Sequence, residues 1–194
     1  MGSRAGRGRS WCGACSEALV GRFAEWMVDK GLLRALLKNL FEAESTVADL
    51  GAGSGTYATW LNETGLVTAW AFDGTMDVAQ VTSGNVTFFN LADLVPLGRT
   101  FDYVMCLEVA ERIPPEHTAT FLSHLERATT KALVMSWSPP PHVGQVNGRT
   151  EEEVLDLFSK HAPSLHVDRD MTNRLRPSVH LPYLARTLLV FRKN

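Results

Sequence analysis

Short apolar runs alternate with amphipathic helical segments along most of this chain, which leaves few folds open to it. The runs are Thr46–Leu50, Leu66–Phe72, Val86–Asn90, Phe101–Leu107, Lys131–Trp137, Leu165–Asp168 and Arg186–Phe191. Buried strands that alternate with helices form a mostly parallel sheet covered on both faces. The sequence therefore predicts an α/β fold with a doubly wound, mostly parallel, seven-stranded sheet. A long loop is predicted before the last strand, which is expected to return antiparallel.

One domain of residues 17–194 is expected, because 194 residues suit a single hydrophobic core. Two apolar stripes at helical spacing predict N-terminal helices within residues 17–43, with a break near Asp29–Gly31. Residues 45–194 form the predicted Rossmann-like core, with further helices at 54–63, about 75–82, 115–129 and 151–161. Residues 1–16 are basic and lack an apolar face, so they are predicted to be a disordered tail.

Composition excludes several classes of protein. Apolar residues make up 45% of the chain, charged residues make up 21%, and the formal net charge is −2. Nothing in that balance favours a nucleic-acid partner, and no apolar run approaches the ~20 residues of a membrane-spanning helix. We expect a cytoplasmic protein, although the Arg- and Ser-rich first ten residues also permit organelle targeting. Composition does not predict the oligomeric state.

The three cysteines suggest no redox or metal site. Cys12 and Cys15 have the spacing of the thioredoxin motif, but an Arg- and Gly-rich tail stands where that motif needs a strand. Chance is the better interpretation. Cys106 lies in an apolar run and is predicted to be a buried, small hydrophobic residue.

A glycine-rich turn follows the first predicted strand, with glycines at positions 51, 53 and 55. Glycine allows a tight turn and a close approach of the backbone to a ligand. Ligands of open α/β sheets bind at the carboxyl ends of the strands. Asp73 ends the second strand, where a carboxylate can accept both hydroxyls of a ribose, and Asp93 follows the third. The G-x-G-x-G spacing differs from the dinucleotide pattern G-x-G-x-x-G.

These motifs, together with Phe101–Val109, resemble the class I S-adenosylmethionine-dependent methyltransferases over about residues 45–192. The resemblance implies that the cofactor is S-adenosyl-L-methionine. The cofactor-binding residues that it implies are Asp49, Gly51, Gly53, Gly55, Asp73, Gly74, Asp93, Leu94, Leu107 and Glu108. Asp49 would lie near the cofactor ammonium, Asp73 at the ribose and Asp93 near the adenine. Leu107 and Glu108 would line the floor of the pocket.

Transfer of a sulfonium methyl group mainly requires alignment of the nucleophile and exclusion of water. A general base is needed only where the nucleophile must lose a proton. The catalytic candidates are Glu108, His142 and Glu111. Some related O-methyltransferases use an E-x-x-E-H-x-P segment and a second histidine to bind a divalent cation. Arg112 and Gln145 stand at those two histidine positions, so no catalytic metal is expected.

The sequence thus predicts a methyltransferase that acts on a small-molecule acceptor. The acceptor side is expected to include residues 17–30, the loop 137–149 and the loop 171–183, where Arg174 and Arg176 are candidates for holding an anionic group. One alternative is a module that binds S-adenosylmethionine without turnover, which the replacements at positions 112 and 145 suggest. A nicotinamide-dependent oxidoreductase is a further alternative, which the glycine spacing disfavours.

Overall fold

The computed structural model of the protein describes residues 28–140 and 144–194. In these residues the strands are β1 Thr46–Leu50, β2 Thr68–Asp73, β3 Val86–Phe88, β4 Phe101–Cys106, β5 Thr129–Ser136, β6 Leu165–Val167 and β7 Leu188–Lys193. The α-helices are α1 Lys30–Asn39, α2 Thr56–Glu63, α3 Val78–Val81, α4 Thr118–Ala128, α5 Glu151–His161, α6 Arg169–Leu175 and α7 Pro182–Thr187. Short 3-10 turns lie at Ala110–Arg112, Pro115–His117 and Arg176–Ser178.

The strands form one seven-stranded sheet in the order β3-β2-β1-β4-β5-β7-β6. The first five pair in parallel, whereas β7 is antiparallel to both β5 and β6. The predicted doubly wound sheet with an antiparallel last strand is therefore confirmed. The chain direction across the sheet reverses beside β1, so the loops after β1, β2 and β4 meet at one edge.

The prediction of a long loop between the last two strands is wrong. The helices α6 and α7 occupy most of that segment, with a 3-10 turn between them. The Asp168 carboxylate caps α6 by accepting a hydrogen bond from the Met171 amide at 2.8 Å. Only Thr172 and Leu175 are buried in this helix, so its apolar pattern is too short to indicate a helix.

Side chains of consecutive strand residues enter two cores on opposite faces of the sheet. In β4, Tyr103 and Met105 pack on the face covered by α1, while Val104 and Cys106 pack on the face covered by α4. Cys106 is fully buried, as predicted, and burial raises the pKa of its thiol well above the usual value. The two cores hold the strand ends rigidly at the edge where the loops meet.

Asp29 ties the start of α1 to the segment that enters α7. Its carboxylate accepts the Leu32 amide at 2.9 Å, which caps α1, and the His180 and Leu181 amides at 2.8 and 2.9 Å. The predicted break near this residue is therefore the beginning of α1. The proposed tail, the earlier N-terminal helix and the Cys12–Cys15 motif lie outside the described residues. None of the helices that the structure describes is long and apolar enough to span a membrane.

Candidate functional site

The glycine turn after β1 is fastened to the end of β2. The amides of Gly51 and Ala52 both donate to the Phe72 carbonyl, at 2.8 and 2.9 Å. The backbone at Gly51 and Gly53 has positive φ angles of 84° and 56°, which side chains disfavour. The Gly53 amide donates to Asp73 Oδ2 at 2.8 Å. The turn and the carboxylate that ends β2 therefore form one unit.

Asp73 retains the capacity to accept further hydrogen bonds. Its Oδ1 atom accepts the Thr75 amide at 2.9 Å and the Thr75 hydroxyl at 2.7 Å, and its Oδ2 atom accepts the Gly53 amide. An ionised carboxylate offers about four lone-pair sites, so these three bonds leave room for a ligand hydroxyl. The side chain is half-buried and lines a cavity.

Asp49 is buried near the end of β1, with 5% of its surface exposed. Burial, and then the charge of Asp73, raise the pKa of Asp49 to about 7. Burial is also the main reason that the pKa of Tyr57 rises to about 12, and the charges of Asp29 and Asp49 add to it. A cation placed beside Asp49 would be attracted by several acidic groups and would favour the ionised carboxylate.

The raised pKa of Asp49 predicts a pH-dependent stability. Between the usual pKa of 3.8 and the folded-state pKa of about 7, the folded chain holds a proton that the unfolded chain has lost. This contribution to stability is present at low pH and is lost as the pH rises through about 7. Between about pH 5.5 and 7, the unfolding free energy of wild type should fall by about 1.5 kcal/mol more than that of Asp49→Asn. Urea unfolding at several pH values measures the difference.

The control for this prediction is Asp77→Asn, which changes an exposed carboxylate in the same way. We expect that variant to show the wild-type dependence of unfolding free energy on pH. Parallel pH curves for wild type and Asp49→Asn would show that Asp49 is ionised in the folded protein at pH 5.5, which is against the prediction.

A cavity of about 140 Å³ lies at the edge where β1, β2 and β4 end. Its lining residues are Gly51, Asp73, Gly74, Phe89, Asn90, Leu91, Ala92, Glu108, Val109, Arg112, Ile113 and Pro114. The Val109 side chain covers the glycine turn, because a Cβ atom on Gly51 would lie 2.2 Å from Val109 Cγ2. Four of the predicted cofactor-binding residues therefore line one cavity, namely Gly51, Asp73, Gly74 and Glu108. Gly53 does not line it but donates a hydrogen bond to Asp73.

Other predicted cofactor residues lie elsewhere. A Cβ atom on Gly55 would meet Val86 Cγ2 at 2.7 Å, so this glycine serves the packing of α2 against the sheet. Leu107 is half-buried and packs against the core. Asp93 is exposed, and Leu94 has 86% of its surface exposed. Because β3 ends early, at Phe88, the residues that reach the cavity from this loop come before Asp93.

Glu108 follows β4 in a left-handed backbone conformation, with φ at 57°, which is uncommon outside glycine. Two bonds to Ser136 hold it there. The Glu108 amide donates to Ser136 Oγ at 2.7 Å, and that hydroxyl donates to Glu108 Oε1 at 2.8 Å. Ser138 Oγ lies 3.4 Å from Glu108 Oε2. The carboxylate therefore enters the cavity in a fixed orientation.

Ser136→Ala is expected to reduce the unfolding free energy by about 1–2 kcal/mol, because the half-buried Glu108 amide would lose its acceptor, the fully buried Ser136 hydroxyl. Ser138→Ala is the matched control. Its longer bond to Glu108 predicts a loss below about 0.5 kcal/mol. Chemical denaturation of both variants measures the effects, and equal losses would contradict the assigned role of Ser136.

Glu111 is fully buried beside the cavity but does not line it. Among the described residues, no group forms a hydrogen bond of normal geometry with either of its carboxyl oxygens. Burial, with a smaller effect of the Glu108 charge, raises the pKa of Glu111 to about 7 against the opposing effect of its own backbone amide. Arg112 lies at the cavity, where its Nε donates to the Glu108 carbonyl at 3.2 Å.

The third catalytic candidate, His142, lies outside the described residues. In the part of the chain that the structure describes, no group of three or more His, Cys, Asp or Glu side chains could hold a metal ion. The absence of a catalytic metal stays a prediction.

Several site residues were missed by sequence reasoning. Ser136 and Ser138 orient Glu108, Tyr57 lies near Asp49, and Asn90 lines the cavity. The two serines are polar residues at the end of an apolar run, which is a usable signal. Tyr57 and Asn90 gave no such signal, because their positions depend on how the loops fold.

Comparison with known proteins agrees with this geometry. No family model matches the sequence. A magnesium-protoporphyrin O-methyltransferase from Synechocystis is 28% identical over 131 residues, which are 63% of this chain and 53% of that protein. The chain therefore spans about half the length of the curated relative it matches.

Two solved structures resemble the whole described fold. A TehB-like S-adenosylmethionine-dependent methyltransferase from Corynebacterium glutamicum superposes with a TM-score of 0.68 at 18% identity, covering 94% of this chain and 100% of that one. The chain has the class I methyltransferase fold. A magnesium protoporphyrin IX methyltransferase from Synechocystis with bound S-adenosylhomocysteine gives a TM-score of 0.64 at 16% identity, covering 97% and 90% of the two chains. The resemblance found in the sequence is thus confirmed. The cavity lies at the carboxyl ends of the parallel strands, which is where open α/β sheets bind their ligands.

Proposed function

We propose that this protein transfers a methyl group from S-adenosylmethionine to a small-molecule acceptor by in-line displacement and without a catalytic metal. The arrangement of charge at the cavity carries the proposal. Asp49, Asp73 and Glu108 gather around the glycine turn, and no Lys or Arg of the described residues forms an ion pair with them. These three carboxyl groups outnumber the guanidinium of Arg112, which is the one guanidinium among the described residues that line the cavity. Such a site attracts the sulfonium and ammonium cations of S-adenosylmethionine and repels the pyrophosphate of a nicotinamide cofactor.

The residues around the cavity suit the parts of this cofactor. Asp49 would pair with the ammonium group, and Asp73 beside Gly74 would accept the ribose hydroxyls. Asn90, Leu91 and Ala92 line the cavity in place of Asp93 and Leu94, so we assign the adenine to them. Asn90 also donates to Asp93 Oδ1 at 3.0 Å, which keeps an indirect role for that carboxylate.

Glu108 is the group best placed to accept a proton from the acceptor. It lines the cavity, and the bonds to Ser136 restrict the orientation of its carboxylate. A carboxylate fixed in this way can remove a proton from a hydroxyl or amine while the methyl group transfers. Glu111 is a weaker candidate, because its buried carboxyl does not line the cavity. Arg112 lines the same cavity and can bind an anionic group of the cofactor or the acceptor.

A small acceptor fits the remaining observations. The relative from Synechocystis is named for a small-molecule substrate, and the net charge of −2 gives no general attraction for nucleic acid.

Calorimetric titration with S-adenosylmethionine, S-adenosylhomocysteine and NAD tests the cofactor. We expect both sulfur nucleosides to bind and NAD not to bind. Failure of both sulfur nucleosides would overturn the proposal. A methyl-transfer screen over hydroxyl, amine, thiol and carboxylate acceptors then tests turnover. Cofactor binding without transfer to any acceptor would favour a module that binds the cofactor only.

A further inference from the structure

A second, larger cavity of about 550 Å³ lies at the same edge of the sheet. It is formed by residues that follow β5, by the first turn of α5, and by α7 with the start of β7. Its size is that of pockets that bind small organic molecules.

This cavity adjoins the proposed reaction centre. Ser138 lines it and also lies 3.4 Å from Glu108 Oε2, while Glu108 lines the first cavity. Tyr183 lines the second cavity as well. Burial raises the pKa of the Tyr183 hydroxyl, and the charge of the nearby Glu108 adds to this effect. A molecule in the second cavity can therefore bring a nucleophile to Glu108 while the cofactor occupies the first.

The surface of the second cavity is mostly apolar and includes two aromatic side chains, Trp137 and Tyr183. Trp137 has 3% of its surface exposed, and its Nε1 atom donates to the Asn147 carbonyl at 2.6 Å, which fixes the ring. Tyr183, on α7, is exposed, whereas Val154 and Leu189 are buried apolar residues of the lining. Aromatic side chains around an apolar floor favour a ligand with a flat ring.

Most charged groups at this cavity already have partners. Glu151 pairs with Arg169 and with Arg176, the latter at 3.0 Å. Arg149 bonds to Asn147 Oδ1 at 3.0 Å and lies 3.5 Å from a carboxylate oxygen of Glu153. Arg176, which the sequence suggested as a group that holds an anion, is therefore already bonded within the protein, since it also donates to the Leu188 carbonyl.

The start of α5 offers no free site for an anion. Thr150 and Glu153 cap each other reciprocally, and three glutamates in the first turn already oppose the helix dipole. Arg186 differs from the other arginines of this cavity. Across residues 28–140 and 144–194 its exposed guanidinium forms no ion pair.

We propose that the second cavity binds the methyl acceptor, and that this acceptor carries a flat ring and a carboxylate that Arg186 binds. The inference rests on the proposed methyltransferase function. A single unpaired guanidinium matches one carboxylate through two parallel hydrogen bonds, whereas a phosphate dianion would need further positive charge. The ring lies between Trp137 and Tyr183, with the nucleophilic atom toward Glu108.

The test compares 4-hydroxybenzoate with its neutral counterpart 4-hydroxybenzamide, by ligand-observed NMR titration of the S-adenosylhomocysteine-saturated protein. We expect wild type to bind the carboxylate about 10-fold more tightly, since a charge-assisted bond supplies at least that preference. Arg186→Gln should abolish the preference and leave binding of the amide unchanged. Tyr183→Ala should weaken both probes equally, because it removes a wall for the ring.

Arg127→Gln is the matched control, since Arg127 is exposed near the end of α4, at the opposite edge of the sheet. It should keep the wild-type preference. The inference is overturned if wild type binds the two probes equally or binds neither. It is also overturned if Arg186→Gln still binds the carboxylate more tightly than the amide. The proposed function is judged separately, because S-adenosylhomocysteine should bind wild type and Arg186→Gln with the same affinity. Loss of nucleoside binding in wild type would instead remove the methyltransferase proposal.

Discussion

Asp73→Ala is expected to weaken binding of S-adenosylhomocysteine by about 2–3 kcal/mol, which is roughly a 30- to 150-fold increase in Kd. The substitution removes a charged acceptor from the cavity wall. It also releases the Gly53 amide, which donates to Asp73 Oδ2 and thereby fixes the glycine turn. Both effects act on the cofactor side, and isothermal titration calorimetry measures their sum.

A matched exposed aspartate on the same loop, Asp77, provides the control for this experiment. Asp77→Ala should bind the nucleoside as wild type does. Asp73→Asn separates charge from shape, because it keeps one oxygen acceptor, and about a 10-fold loss is expected. Circular dichroism establishes that each variant is folded. An unchanged affinity in folded Asp73→Ala would refute the assignment of this residue to the ribose.

Glu108→Gln is expected to lower kcat for a hydroxyl or amine acceptor by a factor of about 10² to 10⁴, the usual contribution of a general base. Glutamine keeps the size of the side chain and an oxygen that can accept from Ser136. It does not take up a proton from the acceptor. The loss should therefore appear mainly in kcat, with a much smaller change in the affinity for S-adenosylmethionine, in a methyl-transfer assay with an acceptor found by the screen.

The chemistry of the acceptor supplies an internal control for Glu108. A thiol or carboxylate that is already ionised needs no base, so Glu108→Gln should slow its methylation far less. Equal rates for wild type and Glu108→Gln with a hydroxyl acceptor would exclude this residue as the base. Glu111 and His142 would then be the next candidates.

The sequence predicts the sheet well because its central strands, such as β1, β4 and β7, are buried apolar runs, and burial is what the amino-acid pattern records most directly. The glycine turn and Asp73 were also predictable, since both lie at the end of a strand, where backbone direction is set by the sheet. The α6 helix was not, because its stability comes from the Asp168 cap and tertiary packing rather than from a repeating apolar face.

The positions of the residues after the third strand and the conformation of Glu108 were also beyond what the sequence predicts. Asp93 and Leu94 follow β3 through an irregular segment, and no periodic signal tells which of its residues face the cavity. The left-handed conformation of Glu108 depends on Ser136, which is distant in sequence. Contacts of this kind join separate parts of the chain, so a local pattern does not contain them.

The two cavities are built largely from different stretches of the chain. Residues 51–114 line the first and residues 137–189 line the second, and the α7 helix between β6 and β7 supplies one wall of the latter. With the methyl donor in the first cavity and the acceptor in the second, as proposed, exchange of the α7 segment for one of another length or composition would change the acceptor and leave the donor the same. On that proposal, the α7 segment that precedes the antiparallel strand β7 sets acceptor selectivity separately from the donor site.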